Sequence, residues 1–264
     1  MKKVIYFIAA LLLAGCSTVP LTNRTQIIAI PTSEMLSLSN ESYNQVVSES
    51  KLSSNTSYRQ SVNRVGQRIT SAVESYLTQI GRKELLNGYQ WEFNVIESEE
   101  MNAWCMPGGK IAFYEGIMPV CEDDNGIAVV MAHEIAHAVA KHSNERMTHQ
   151  LGLQMGGIAL SQALSEKKES TQQIAMAVFG IGSQVGIMLP YSRSHETEAD
   201  ELGLYFMAMA GYDPVGAPKF WERMLAAGRS STPEFLSTHP DPENRIKYLN
   251  EVMPKALEYY HQKN

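Results

Sequence analysis

Gly126-Ile127-Ala128-Val129-Val130-Met131-Ala132-His133-Glu134-Ile135-Ala136-His137-Ala138-Val139 decides how this 264-residue chain is read. Asp123-Asp124-Asn125 stands just ahead of the run and offers N-caps, so the pattern predicts a helix over about 126–143. On such a helix, residues four apart lie only about 40° apart around the axis, and His133 and His137 point their imidazoles into one site. Neutral imidazoles suit a borderline-soft ion such as zinc, at about 2.0–2.1 Å. Glu134 lies beside them, where a carboxylate can take the proton of a metal-activated water. The competing reading is a buried helix with two satisfied histidines, since the flanking Ile127, Val129, Val130, Ala132, Ile135 and Ala136 are what a core helix also carries.

A hydrolytic zinc site needs a third protein ligand and one open position. His142 is nearest, but five residues past His137 on a continuous helix it lies about 140° round the axis and faces away. The metzincin pattern needs Gly and His three and six residues past the second histidine; Ala140 and Ser143 stand there, and that reading fails. Further along, Glu196-Thr197-Glu198-Ala199-Asp200 puts Glu196 and Asp200 four apart on a predicted helix over about 194–210. One of the two carboxylates can bind the metal while the other holds a ligand histidine through its outer ring nitrogen. Standing alone, the segment would read as a solvated acidic face.

HExxH followed after a helical spacer by E-x-E-A-D resembles the gluzincin metallopeptidases of the HtpX and CAAX prenyl endopeptidase kind, the forty-eighth metallopeptidase family, over most of residues 60–250. The resemblance implies a mainly α protein with a small β-sheet (α+β), a zincin-type domain binding one Zn2+ per chain and cleaving polypeptides. It maps the third ligand onto Glu196 and an orienting carboxylate onto Asp200. Asn102-Ala103-Trp104 with Pro107-Gly108-Gly109-Lys110-Ile111 is similar to the family's edge-strand segment, which implies substrate backbone bound by strand addition. Thr238-His239-Pro240 and Arg245 resemble its C-terminal motif; His239 is then expected at the oxyanion, with Arg193 or Arg245 ordering the site.

The rest of the chain sets the expected surroundings. A 44% hydrophobic and 19% charged composition is that of a globular protein. A net charge of −6 and a pI near 5.7 exclude the basic face of a nucleic-acid binder. Lys2, Lys3 and the apolar 4–13 run, closing on Leu13-Ala14-Gly15-Cys16, read as a leader over 1–15 that resembles a bacterial lipobox, with Cys16 acylated. Residues 16–38 then read as a lipidated tether and 39–264 as the peptidase domain. Membrane attachment through that lipid is expected in the bacterial cell envelope, at the outer membrane facing the periplasm. Cys105 and Cys121 remain as an even pair that an oxidising compartment favours bridging, two buried free thiols being the alternative. The expected role is protein quality control on misfolded envelope proteins; the alternative is an envelope protein that binds such clients with little cleavage. Apolar segments over 150–165 and 170–190, split by Glu166-Lys167-Lys168-Glu169, read as bundle helices rather than membrane spans.

Overall fold

The computed structural model describes residues 16–228, 233–240 and 242–263; the leader expected over 1–15 lies outside them. In chain order the elements are β1 (Cys16–Thr18), β2 (Thr25–Ile27), α1 (Thr32–Glu49) and α2 (Thr56–Gln79), a 3-10 turn, then β3 (Glu92–Ile96), β4 (Ala103–Met106) and β5 (Lys110–Tyr114). The short α3 (Met118–Cys121) leads into α4 (Asp124–Val139), α5 (His142–Ala163) and α6 (Glu169–Ser183). A π-turn at Gln184–Met188 runs straight into α7 (Leu189–Met209), followed by α8 (Gly216–Ala227), α9 (Glu234–Thr238) and α10 (Pro242–Lys263). The chain is mainly helical with small sheets, as the α+β expectation has it.

α4 is buried from Gly126 to Val139, the outcome for a helix apolar on all sides. Asp123 caps it, its carboxylate accepting from Gly126 N–H at 2.9 Å. One face of α2 (Val62, Val65, Ile69, Val73, Leu77) completes the core on its side. α7 packs across α4 so closely that a Cβ on Gly203 would stand 2.9 Å from the backbone nitrogen of His133 and 3.0 Å from its Cα. Main chain therefore meets main chain at the HExxH motif.

The larger sheet has the order β3-β5-β4, with β3 parallel and β4 antiparallel to β5. Gly108 and Gly109, at φ +93° and +85°, make the turn between β4 and β5 that a residue with a Cβ would strain. β4 is an outer strand, and the central β5 separates it from β3. Lys110 and Ile111, expected in a substrate-binding edge, lie on the central strand instead, paired with Glu92 and Phe93 on one side and with Met106 and Cys105 on the other. Strand addition is open only to the β4 side of that hairpin.

Two further expectations change. The stretch expected as a tether, 16–38, is folded: β1 and β2 pair antiparallel, Val19 and Gln26 are buried, and α1 starts at Thr32. Cys105 and Cys121 are unbridged, Cys105 on the edge strand and Cys121 buried at the end of α3. Burial pushes both thiols up, with Glu134 adding to the effect at Cys105, so neither offers the thiolate that exchange chemistry requires.

The 150–190 region is a helical hairpin of α5 and α6 with no Asp, Glu, Lys or Arg from 151 to 165 or from 170 to 192. Its apolar side chains face outward: Met155, Ile174 and Ile181 are 63%, 65% and 67% exposed. The helix Glu169–Met209 is long and apolar enough, by length and composition, to cross a membrane.

Candidate metal centre

α4, α7 and the His239 turn bring four donor side chains together. His133, His137, Glu196 and His239 each offer an atom within 4.8 Å of all the others. His133 Nε2 lies 3.0 Å from His137 Nε2, 3.2 Å from His239 Nδ1 and 3.4 Å from Glu196 Oε2. His137 Nε2 is 3.4 Å from Glu196 Oε1. Ligand atoms about 2.05 Å from a tetrahedral ion stand roughly 3.3 Å apart, so these separations fit zinc. Glu196 Oε1 is buried without a hydrogen-bond partner, as a carboxylate oxygen waiting for a cation would be.

Asp200 and Arg245 surround the donors. Asp200 Oδ1 lies 3.2 Å from His133 Nδ1, the outer nitrogen that decides which tautomer turns Nε2 inward. Arg245 binds Asp200 through two 2.7 Å bonds, reaches Glu196 at 3.3 Å and lies 3.7 Å over the Trp221 ring. Arg193, the other arginine considered for ordering the site, sits on the exposed face of α7, off the buried stripe of His195, Glu196, Ala199 and Asp200. It has no part in the cluster.

The electrostatics follow from that packing. Burial alone would raise Glu196, but His239, His137 and a bond from His133 hold it well below the usual carboxylate range. Burial lowers His137 to about 3, leaving it neutral. Burial and Arg245 pull His133 down, yet hydrogen bonds to Asp200 and Glu196 outweigh them and push it up to about 9. Glu134 is raised by burial against the pull of His239 and His133. Its Oε2 accepts from Cys105 N–H at 3.2 Å and its Oε1 lies 3.3 Å from His239 Nε2. The Glu134 carboxyl thus touches both the free edge of β4 and the donor cluster.

His239 was expected at the oxyanion. Its Nδ1 instead faces inward, 2.8 Å from Glu196 Oε2, because α9 turns its ring against Phe235 at 4.5 Å and toward His133. It stands as a fourth donor.

His142 stands outside the donor set, as expected, but not for the angular reason. α4 ends at Val139, and Lys141 turns left-handed at φ +58°, so His142 begins a new helix and the angular argument for a continuous one does not apply. Its Nδ1 meets the outer nitrogen of His137 at 2.8 Å, and its Nε2 meets Glu198 Oε2 at 2.9 Å. Arg24 ties Glu198 to Glu145, and Glu145 in turn accepts from His195 at 2.8 Å. None of this group was singled out from the sequence as functional. The left-handed position between His137 and His142 carries no sequence signature, Lys being an ordinary helix former.

Burial would raise Glu145, but His195 and Arg24 hold it down at about 2, against an ordinary value of 4.5. That stability is fully present above about 4.5 and is lost as pH falls towards about 2. Over this window the melting temperature of the wild type should fall more steeply than that of Glu145→Gln; parallel curves would count against the assignment.

Residues 63–253 match the sequence profile described as Peptidase family M48. The chain is 34% identical over 249 residues to the mitochondrial metalloendopeptidase OMA1 of Schizosaccharomyces pombe, covering 90% of this chain and 66% of that protein. It is 37% identical to the Saccharomyces cerevisiae protein of the same name over 67% of this chain and 51% of that one. It is 28% identical to the beta-barrel assembly-enhancing protease of Escherichia coli over 75% of this chain and 40% of that one. The chain thus spans between two fifths and two thirds of the length of these relatives. They support the family as a whole rather than its HtpX or prenyl-endopeptidase kind. They also overturn the expected outer-membrane placement, since the yeast relatives are mitochondrial by name.

Proposed function

The chain belongs to peptidase family M48, and from that premise we propose a zinc-dependent endopeptidase that cleaves unfolded or misfolded polypeptides in protein quality control. The observation that carries this is the position of Glu134, 3.2 Å from the β4 edge and directly beside the donor cluster. A peptide laid antiparallel along β4 would present its backbone to that carboxyl.

His133, His137 and Glu196 would hold the ion, with His239 as the fourth donor in the closed arrangement. Zinc held there supplies Lewis acidity, activating water and polarising a carbonyl group. Glu134 takes the proton of the attacking water, and its burial-raised affinity for that proton suits it to pass the proton on to the leaving amine. Cys105 N–H, which Glu134 engages here, becomes a donor for the substrate backbone. Asp200 and Arg245 keep His133 facing the cluster. His239 stands where a hydrolytic site needs its open position, so its ring would have to give way to water and substrate.

The exposed α5–α6 hairpin favours a second, compatible reading, in which capture of unfolded chains matters as much as their cleavage. One experiment separates the two. The purified protein should cleave a reduced, unfolded polypeptide, lose that activity to a zinc chelator and regain it with added zinc. Capture without cleavage would leave only the binding role, and cleavage indifferent to chelation would sink the zinc mechanism.

A further inference from the structure

The ring of His137 is gripped from both sides. Its Nε2 faces the donor cluster, while its Nδ1 begins a hydrogen-bonded chain leading out to the N-terminal hairpin. A carboxylate can only accept, so Glu198 takes the Nε2–H of His142. That leaves His142 Nδ1 as an acceptor, and it must take the Nδ1–H of His137. His137 Nε2 is then a bare lone pair, the form a zinc ligand requires. The His142 ring is fixed in plane by stacking on His195 at 4.2 Å and 8°.

Glu198 is itself held from the hairpin. Arg24 donates through Nε to Glu198 Oε2 at 2.8 Å and through Nη1 and Nη2 to Glu145 at 3.0 and 2.8 Å, and the Thr22 hydroxyl donates to Glu198 Oε1. Glu145 and Glu198 are almost wholly buried, and the guanidinium fills the space between them that a second metal ion would need. The cluster is therefore a relay and not another ion site.

We propose that the β1–β2 hairpin is part of the metal-holding apparatus, with Arg24 a positioning residue that fixes the zinc-binding face of His137 through Glu198 and His142. This rests on the reading of His137 as a ligand. Without Arg24, Glu198 would be free to turn from His142, and the tautomer of His137 would no longer be set. Arg24 lies outside the residues that match the family profile, so the relay joins the site to a part of the chain that the profile does not reach.

Zinc affinity of the full chain, measured by competition with a chromophoric chelator, tests this, with circular dichroism and melting temperature followed alongside. Glu198→Leu, which removes the acceptor that His142 needs, should weaken zinc binding about 10–100-fold, the usual cost of losing an outer partner of a ligand. Arg24→Ala, one bond further out, should weaken it about tenfold, and Arg24→Lys should recover part of that. Because Arg24 acts through Glu198, the double variant should bind no more weakly than Glu198→Leu alone. Arg64→Ala, which breaks a half-exposed pair with Asp124 far along the chain, should change nothing. Wild-type affinity in a folded Arg24→Ala protein overturns the proposal even if its melting temperature drops, since the hairpin would then only brace the fold. Should Arg24→Ala fail to fold, undiminished affinity in a folded Glu198→Leu protein overturns it equally. A wild type that binds no zinc would instead defeat the ligand reading beneath it.

Discussion

Glu134→Gln should keep its zinc and lose about 10²–10⁴-fold of peptide cleavage, the span usual for removing a positioned general base. The amide preserves the shape of the side chain, and its oxygen can still accept from Cys105 N–H. It cannot take up a proton. Glu134 is not among the four donors, so metal content should stay near one ion per chain. The variant should also retain unfolded chains that the wild type degrades, and pull-down of such chains gives an independent readout. Cleavage equal to wild type would remove Glu134 from the mechanism, and loss of zinc would recast it as a ligand.

Glu196→Gln should show the opposite signature, a folded chain that no longer retains its metal. Glu196 is the acid that His133, His137, His239 and Arg245 all approach, and against the effect of burial the surrounding histidines hold it well below the usual carboxylate range. Replacing it with a neutral amide of equal size removes the charge without opening a cavity. The fall in zinc affinity should exceed the roughly 10–100-fold that outer partners are worth. Elemental analysis after dialysis should find little zinc, with cleavage lost in proportion. One zinc retained per chain would assign the third ligand elsewhere.

Much of this site is legible in the sequence because two of its ligands are local. The four-residue spacing of His133 and His137 depends only on helix geometry, and the same holds for Glu196 and Asp200. The helix start at Asp123 is readable because Asp123 caps α4 with its own side chain. What stayed hidden is non-local. The angular argument set His142 aside, because a single left-handed lysine ends one helix and starts the next. Residues 16–38 read as a tether because two three-residue strands give no periodicity, and Arg24 finds its partners 121 and 174 residues away. Lys110 and Ile111 share a hairpin with the edge strand, and only the parallel pairing of β3 shows which of the two strands is covered.

The bare backbone at Gly203 has a consequence for how the protein is supplied with metal. Helix α7 rests directly on the main chain of His133, with Asp200 and Glu196 on the turns just before that contact. The coordinating groups are thus locked in place by packing that needs no ion. Stripping and reloading should proceed without unfolding, and the empty protein should persist as a folded reserve whose output follows the local availability of zinc.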